Sequence, residues 1–183
     1  MRVIAGSARR LNLVTPKGNE TRPTSDKVKE TLFNILAPML YDVDFLDLFA
    51  GSGAIGIEAL SRGARSCTFI EKSRDAISCI KKNLETTHFT DKATVRPYDV
   101  LTSLYNIHPA KPFDMIFMDP PYDLHIEKQV LTMLCGSDLI DDDTLIIVEA
   151  SIDSDMSYAE GLGYKVERIK EYKNNKHVFL RRI

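Results

Sequence analysis

Four carboxylates stand where a parallel sheet would present them along one edge. Asp47 lies inside the apolar run Phe45–Phe49, just ahead of Gly51-Ser52-Gly53 and Gly56. Glu71 closes Cys67-Thr-Phe-Ile, and Asp99 follows Thr94–Tyr98. Asp119 closes Phe113–Met118 and opens Asp119-Pro120-Pro121-Tyr122. Open α/β sheets bind ligands outside the carboxyl ends of their strands. Acids gathered there call for a ligand with positive or hydrogen-donating groups.

The Asp119–Tyr122 loop is poor in donors. Each proline lacks an N–H and has a fixed φ. What remains is a rigid pair of acceptors, the Asp119 carboxylate and the Pro120 carbonyl. Such a pair suits an –NH2 group with two hydrogens to give. Tyr122 offers a ring for a flat base, a stacking contact worth about 1–3 kcal/mol. The plainer alternative is a stiff turn with a buried tyrosine.

The stretch Phe45-Leu-Asp-Leu-Phe-Ala-Gly-Ser-Gly-Ala-Ile-Gly56 reads as strand, tight turn and helix N-terminus, a backbone cradle for a small ligand. Its Gly51-x-Gly53-x-x-Gly56 spacing also fits a dinucleotide fingerprint. Asp47 argues against a pyrophosphate, which it would repel, and for a ligand with an ammonium and a sulfonium. S-adenosylmethionine is such a ligand. Otherwise Asp47 caps a turn and the glycines only let strand and helix pack. Glu71 is expected to accept from ribose hydroxyls, since an ionised carboxylate only accepts; the alternative is a cap for the helix near 73, where Ser73 competes. Asp99 is expected to meet an adenine amino group or to cap a helix.

These residues need a scaffold that alternates strands and helices. Near-continuous apolar runs at 44–49, 67–71, 93–97, 113–118 and 144–149 predict strands, and 53–62, 73–86, 100–106 and 124–135 predict helices. The alternation implies an α/β fold, a Rossmann-like, mostly parallel sheet covered on both faces. Tyr164–Tyr172 and His177–Arg182 flank Asn174-Asn175, which predicts a closing antiparallel hairpin. Upstream, a helix over 25–40 starts at Thr24 or Ser25, with Val28, Leu32, Ile35, Leu36 and Met39 on one face. Residues 2–5 and 10–14 predict a small hairpin. The chain divides into an N-terminal arm, 1–23, and a catalytic domain, 24–183.

The formal charge of −2 conceals a polarity. Residues 1–30 carry +4 and residues 165–183 carry +5, leaving −11 between them. A basic arm on an acidic body suggests a phosphate-bearing partner, with Arg2, Arg9, Arg10, Arg22 and Lys27 as candidate nucleic-acid contacts. The C-terminal charges read as a solvated surface. Arg22-Pro-Thr-Ser-Asp26 either caps the first helix or offers an anion site at its N-terminus. Three cysteines at wide spacing make neither a zinc pattern nor a disulfide framework. Four scattered histidines suggest no metal. No apolar run reaches the roughly 20 residues that span a bilayer, and no signal peptide is evident, so a cytoplasmic protein is expected.

With these motifs in place, Asp47 with Phe49-Ala-Gly-Ser-Gly53, then Asp119-Pro-Pro-Tyr122, resembles the class I methyltransferases that modify exocyclic or amide nitrogens. The segment Arg22-Pro-Thr-Ser-Asp-Lys-Val-Lys-Glu-Thr-Leu-Phe-Asn34, with the opening Arg2-Val-Ile-Ala-Gly6, is similar to the RsmD-type family, 16S rRNA guanine-N2 methyltransferases of bacteria. The resemblance implies that Asp47, Phe49, Ala50, Gly51, Ser52 and Gly53 hold the methionine moiety of S-adenosylmethionine. Glu71 with Lys72 would hold the ribose, and Asp99 with Val100 the adenine. Asp119, Pro120, Pro121 and Tyr122 would hold the guanine, and the arm would touch 16S rRNA or the small ribosomal subunit. A monomer without metal is expected. Adenine N6, a protein glutamine amide and a non-catalytic RNA-binding module remain open alternatives, with an NAD-dependent oxidoreductase behind them.

Overall fold

The computed structural model describes residues 1–16, 25–121 and 126–183. Arg22 and Tyr122 lie outside the described residues, as do the expected anion site's Pro23 and Thr24. Among the described residues, seven strands form one sheet in the order β3-β2-β1-β4-β5-β7-β6. The strands are β1 (Asp44–Leu48), β2 (Ser66–Ile70), β3 (Ala93–Arg96), β4 (Met115–Met118), β5 (Leu145–Ser151), β6 (Tyr164–Glu171) and β7 (Asn175–Arg182). The first five pair in parallel. β7 runs antiparallel to β5 and to β6. The chain order reverses between β1 and β4, which makes their carboxyl ends the switch point of the sheet.

Side chains alternate across the sheet with a period of two, and two cores result. Phe45, Phe69, Phe117, Ile147 and Phe179 face α1 (Asp26–Leu36), α2 (Ala54–Ser61) and α3 (Arg74–Thr87). Leu46, Leu48, Ile70, Ile116, Met118, Ile146, Val148 and Leu180 face α4 (Val100–Asn106), α5 (Ile126–Cys135) and α6 (Tyr158–Gly161). A side chain buried as fully as Phe117 contributes about 1.5–3 kcal/mol. Each apolar run therefore serves both faces, which is why the strands carry no polar stripe. Cys67 is buried in the first core and the three cysteines are unlinked.

Side chains set the helix starts. Ser25 Oγ accepts from Val28 N–H, Ser73 Oγ from Ala76 N–H, and Asp99 Oδ1 from Thr102 N–H. Caps of this kind are worth about 1 kcal/mol each. α1 stops at Leu36 and passes into a 3-10 turn, Ala37–Met39, at Pro38. Met39 is consequently exposed rather than on the apolar face. The buried positions of α1 are Lys29, Leu32, Phe33 and Leu36. The final turn also sits one residue earlier than expected, since Asn175 already belongs to β7 and Tyr172 N–H donates to Asn175 O.

The N-terminal segment is not the expected pair of strands. Arg2 and Asn12 form one antiparallel bridge, flanked by Val3 N–H to Leu11 O and Leu13 N–H to Met1 O. The next amides turn to the body instead of a strand partner. Ile4 and Ala5 N–H donate to the two Glu58 carboxylate oxygens at 2.8 and 3.0 Å. Glu58 is fully buried and also meets Lys29 Nζ at 3.2 Å and Arg62 Nε at 2.8 Å. Lys29 is buried too and donates to Arg2 O. Gly6 has φ +82°, and a Cβ there would fall 1.8 Å from Ser61 O, so only glycine fits this approach. Val3, Ala8 and Leu13 complete the docking by entering the first core.

Candidate active site

The turn after β1 is bent by three left-handed residues, Phe49 (φ +62°), Gly51 (φ +55°) and Gly53 (φ +77°). Phe49 is the costly one, because a side chain at positive φ is strained. Ala50 N–H ties the turn to Ile70 O, and Gly53 N–H closes it on Ala50 O. Nothing stands within 4 Å of a Cβ built on Gly51, so the space over that turn is open. At Gly56 a Cβ would fall 2.3 Å from the Phe69 ring and 2.5 Å from Cys67 Sγ, so this glycine serves close packing of α2 on β2.

Asp47 is buried and its Oδ2 accepts from Gly56 N–H at 2.9 Å. Gly53, the residue before α2, has no side chain with which to cap. The carboxylate of Asp47 therefore does the capping from the neighbouring strand. Burial pushes the Asp47 carboxyl up to about 7, against the pull of the Gly56 N–H and with a further push from Glu71. An ionised Asp47 is thus held at a cost that a nearby cation would relieve.

Glu71 binds the loops of the site together. Its Oε2 accepts from Gly51 N–H and its Oε1 from Ser73 N–H, both at 2.8 Å. Ser73, not Glu71, caps α3. Asn83 on α3 does similar work from behind: its Nδ2 donates to Ser52 O and to Val14 O. The arm and the glycine turn are therefore braced by one side chain. Lys72 is exposed beside Glu71. Asp99 is exposed and caps α4; its hydrogen bonds with Thr102 lower its carboxyl below the ordinary value. The side chain of Val100 is buried in the second core.

Asp119 follows β4 directly, and parity from Phe117 puts it on the same sheet face as Asp47. It is partly open, Pro120 is buried and Pro121 is exposed. Burial, then the charges of Glu149 and Asp47, push the Asp119 carboxyl well above the usual carboxylate range. Sequence reasoning passed over Glu149. It ends the apolar run Leu145–Val148 in the same way that Asp119 ends its own, so the strand-end criterion would have found it. His177, one of the four scattered histidines, is fully buried against Glu149.

Of the candidate RNA contacts, Arg9, Arg10 and Lys27 are exposed, and Arg2 pairs with Asp26 at 2.9 Å. The switch point therefore brings together two carboxyls raised by burial, Asp47 and Asp119, and an open glycine turn.

The family described as Conserved hypothetical protein 95 matches residues 1–181. The Haemophilus influenzae ribosomal RNA small subunit methyltransferase D is 38% identical over 154 residues, 84% of this chain and 80% of that one. The chain belongs to the RsmD-type methyltransferase family. YlbH of Bacillus subtilis is 40% identical over 172 residues, covering 93% of this chain and 92% of its own. The solved Escherichia coli protein yhhF superimposes with a TM-score of 0.84 at 33% identity, covering 100% of this chain and 97% of that one. A fold neighbour at 14% identity, SMU.776, was solved complexed with SAH; its TM-score is 0.69, over 84% of this chain and 49% of that chain. The Rossmann-like class I architecture with an antiparallel C-terminal hairpin is that of this RsmD-type fold.

Proposed function

We propose that the protein transfers a methyl group from S-adenosylmethionine to the exocyclic N2 of a guanine in 16S rRNA. The observation that carries this reading is the position of Asp119 and Pro120 directly after β4 at the switch point, with Asp119 on the sheet face shared with Asp47. The small-subunit rRNA activity in the relatives' names supports the substrate class.

The residues present fit the cofactor. Asp47, Asp119 and Glu149 form a like-charged group whose two raised carboxyls favour a cationic ligand. Space over Gly51 is open, and the turn's backbone can approach a ligand closely there. Bound S-adenosylmethionine supplies an electrophilic methyl on a sulfonium. Phe49, Ala50, Ser52 and Gly53 would hold its methionine end, Glu71 with Lys72 its ribose, and Asp99 with the Val100 backbone its adenine.

The guanine amine is a poor nucleophile because its lone pair is delocalised into the ring. The Asp119 carboxylate and the Pro120 carbonyl would accept its two hydrogens, localise the lone pair and aim it at the methyl. Pro121 stiffens the pair, and Tyr122 stacks on the base. Positioning supplies most of the acceleration, and acceptors that bind best as positive charge grows on nitrogen add to it. The base must leave its stack to reach the loop. Arg2, Arg9, Arg10, Arg22 and Lys27 would meet the RNA backbone of the small subunit, by a monomeric enzyme.

Asp119→Ala tests the assignment. It is expected to abolish most methyl transfer while leaving S-adenosylmethionine affinity within a few fold. Near wild-type turnover in this variant would sink the role of Asp119.

A further inference from the structure

Behind Asp119 lies a buried polar chain that the mechanism above does not use. Met118 pairs with Val148 in the parallel ladder, so Asp119 is the neighbour of Glu149 one strand spacing away, about 5 Å. Glu149 in turn pairs with His177 across the antiparallel β5–β7 ladder. Its Oε2 lies 3.1 Å from His177 Nε2, and its Oε1 accepts from Asn175 Nδ2 at 2.5 Å. His177 Nδ1 lies 3.1 Å from the Tyr172 hydroxyl. The rings of Phe117 and Tyr172 wedge the imidazole edge-on, with centroids at 6.0 and 5.0 Å.

With a neutral imidazole, one assignment of hydrogens satisfies these partners. A carboxylate only accepts, so His177 Nε2–H donates to Glu149, and Nδ1 accepts from the Tyr172 O–H. Both Glu149 oxygens are then held by donors, and its negative charge has a fixed place. Burying a carboxylate is costly, and the two donors offset part of that cost.

We propose that Glu149, clamped by His177 and Asn175, is a positioning residue whose fixed charge makes the neighbouring Asp119 a stronger proton acceptor for the substrate amine. The inference rests on the methyl-transfer reading above. In the step, the nitrogen lone pair forms the N–C bond and the C–S electrons return to sulfur. The N–H proton passes to an Asp119 oxygen, its bonding pair staying on nitrogen. A more basic acceptor makes that loss easier but needs a higher pH to be ionised. The charged groups that act on Asp119 are Glu149 from β5 and Asp47 from β1, with His177 from β7 standing behind Glu149. Asp47 answers to burial, Gly56 and Glu71 instead, so a change at Glu149 reads out through Asp119.

The test is the pH–rate profile of single-turnover methyl transfer to small ribosomal subunits by wild type, Glu149→Gln and Glu149→Asp. Glu149→Gln is expected to move the acid limb down by about one pH unit, the effect of removing a like charge at this range. Its plateau rate is expected to fall several-fold, with S-adenosylmethionine affinity unchanged within a few fold. Glu149→Asp, which keeps the charge but withdraws it, is expected to move the limb less, in the same direction. It also serves if the glutamine variant does not fold. A purely structural lesion would lower the rate evenly at every pH. Acid limbs that coincide with wild type in folded variants overturn the proposal, while the wild-type rate on its own tests the methyl-transfer reading.

Discussion

Replacing Asp47 with asparagine is expected to make the cofactor-free protein more stable at pH 8 and worse at holding S-adenosylmethionine. Burial raises this carboxyl from an ordinary 3.8 to about 7. Between those values the folded protein keeps the proton while the unfolded chain has lost it. The unfolded state then binds fewer protons, so stability falls as pH rises through this window and levels off above it. Three units of difference correspond to about 4 kcal/mol of destabilisation at pH 8. Asparagine removes that cost and can still accept from Gly56 N–H, but its own buried N–H groups cost about 1–3 kcal/mol if unpaired. The expected net gain is about 2 kcal/mol at pH 8, or about 4–8 °C in Tm. At pH 4 the aspartate is neutral in the folded protein, and the variant has no advantage. Thermal and urea denaturation at pH 4, 6 and 8, with calorimetric titration of S-adenosylmethionine, measure both halves. A variant that is no more stable than wild type at pH 8, with the same pH slope, would refute the reasoning. So would undiminished cofactor affinity.

Glu58→Ala is expected to cost about 3–5 kcal/mol in urea denaturation, because it strands buried Lys29 and removes the acceptors of Ile4 and Ala5; a loss below about 1 kcal/mol would contradict the account of how the arm docks. Arg9→Glu with Arg10→Glu is expected to weaken small-subunit RNA binding and to lessen its salt dependence by about two counterions. Cofactor affinity should not change, and RNA binding at wild-type strength would remove the arm from the interface.

Local signals made the strands and most helices legible. The apolar run before Gly51 became β1, and Asp99 capping its own helix placed α4 at Val100–Asn106, as expected from the pattern. Asp47 and Asp119 stand out in the sequence as acids at the ends of apolar runs, and the structure places both at the switch point of the sheet. What stayed hidden depends on contacts between distant segments. Lys29 and Glu58 look like solvated helix charges until α1, α2 and the arm meet around them. Ile4 and Ala5 look like strand residues until Glu58 takes their amides. Glu149 and His177 stand 28 residues apart and acquire a joint role only through the β5–β7 ladder. Asp47 shows both sides: its position was readable, but its service as the cap of α2 depends on Gly53 having no side chain to offer.

The most direct measurement uses small ribosomal subunits from cells lacking this protein. They are incubated with the purified protein and methyl-labelled S-adenosylmethionine, and the digested RNA is resolved into nucleosides. The account predicts label in N2-methylguanosine at a single site. Label in another nucleoside would contradict the guanine assignment, and absence of label from the RNA would contradict the proposed reaction itself.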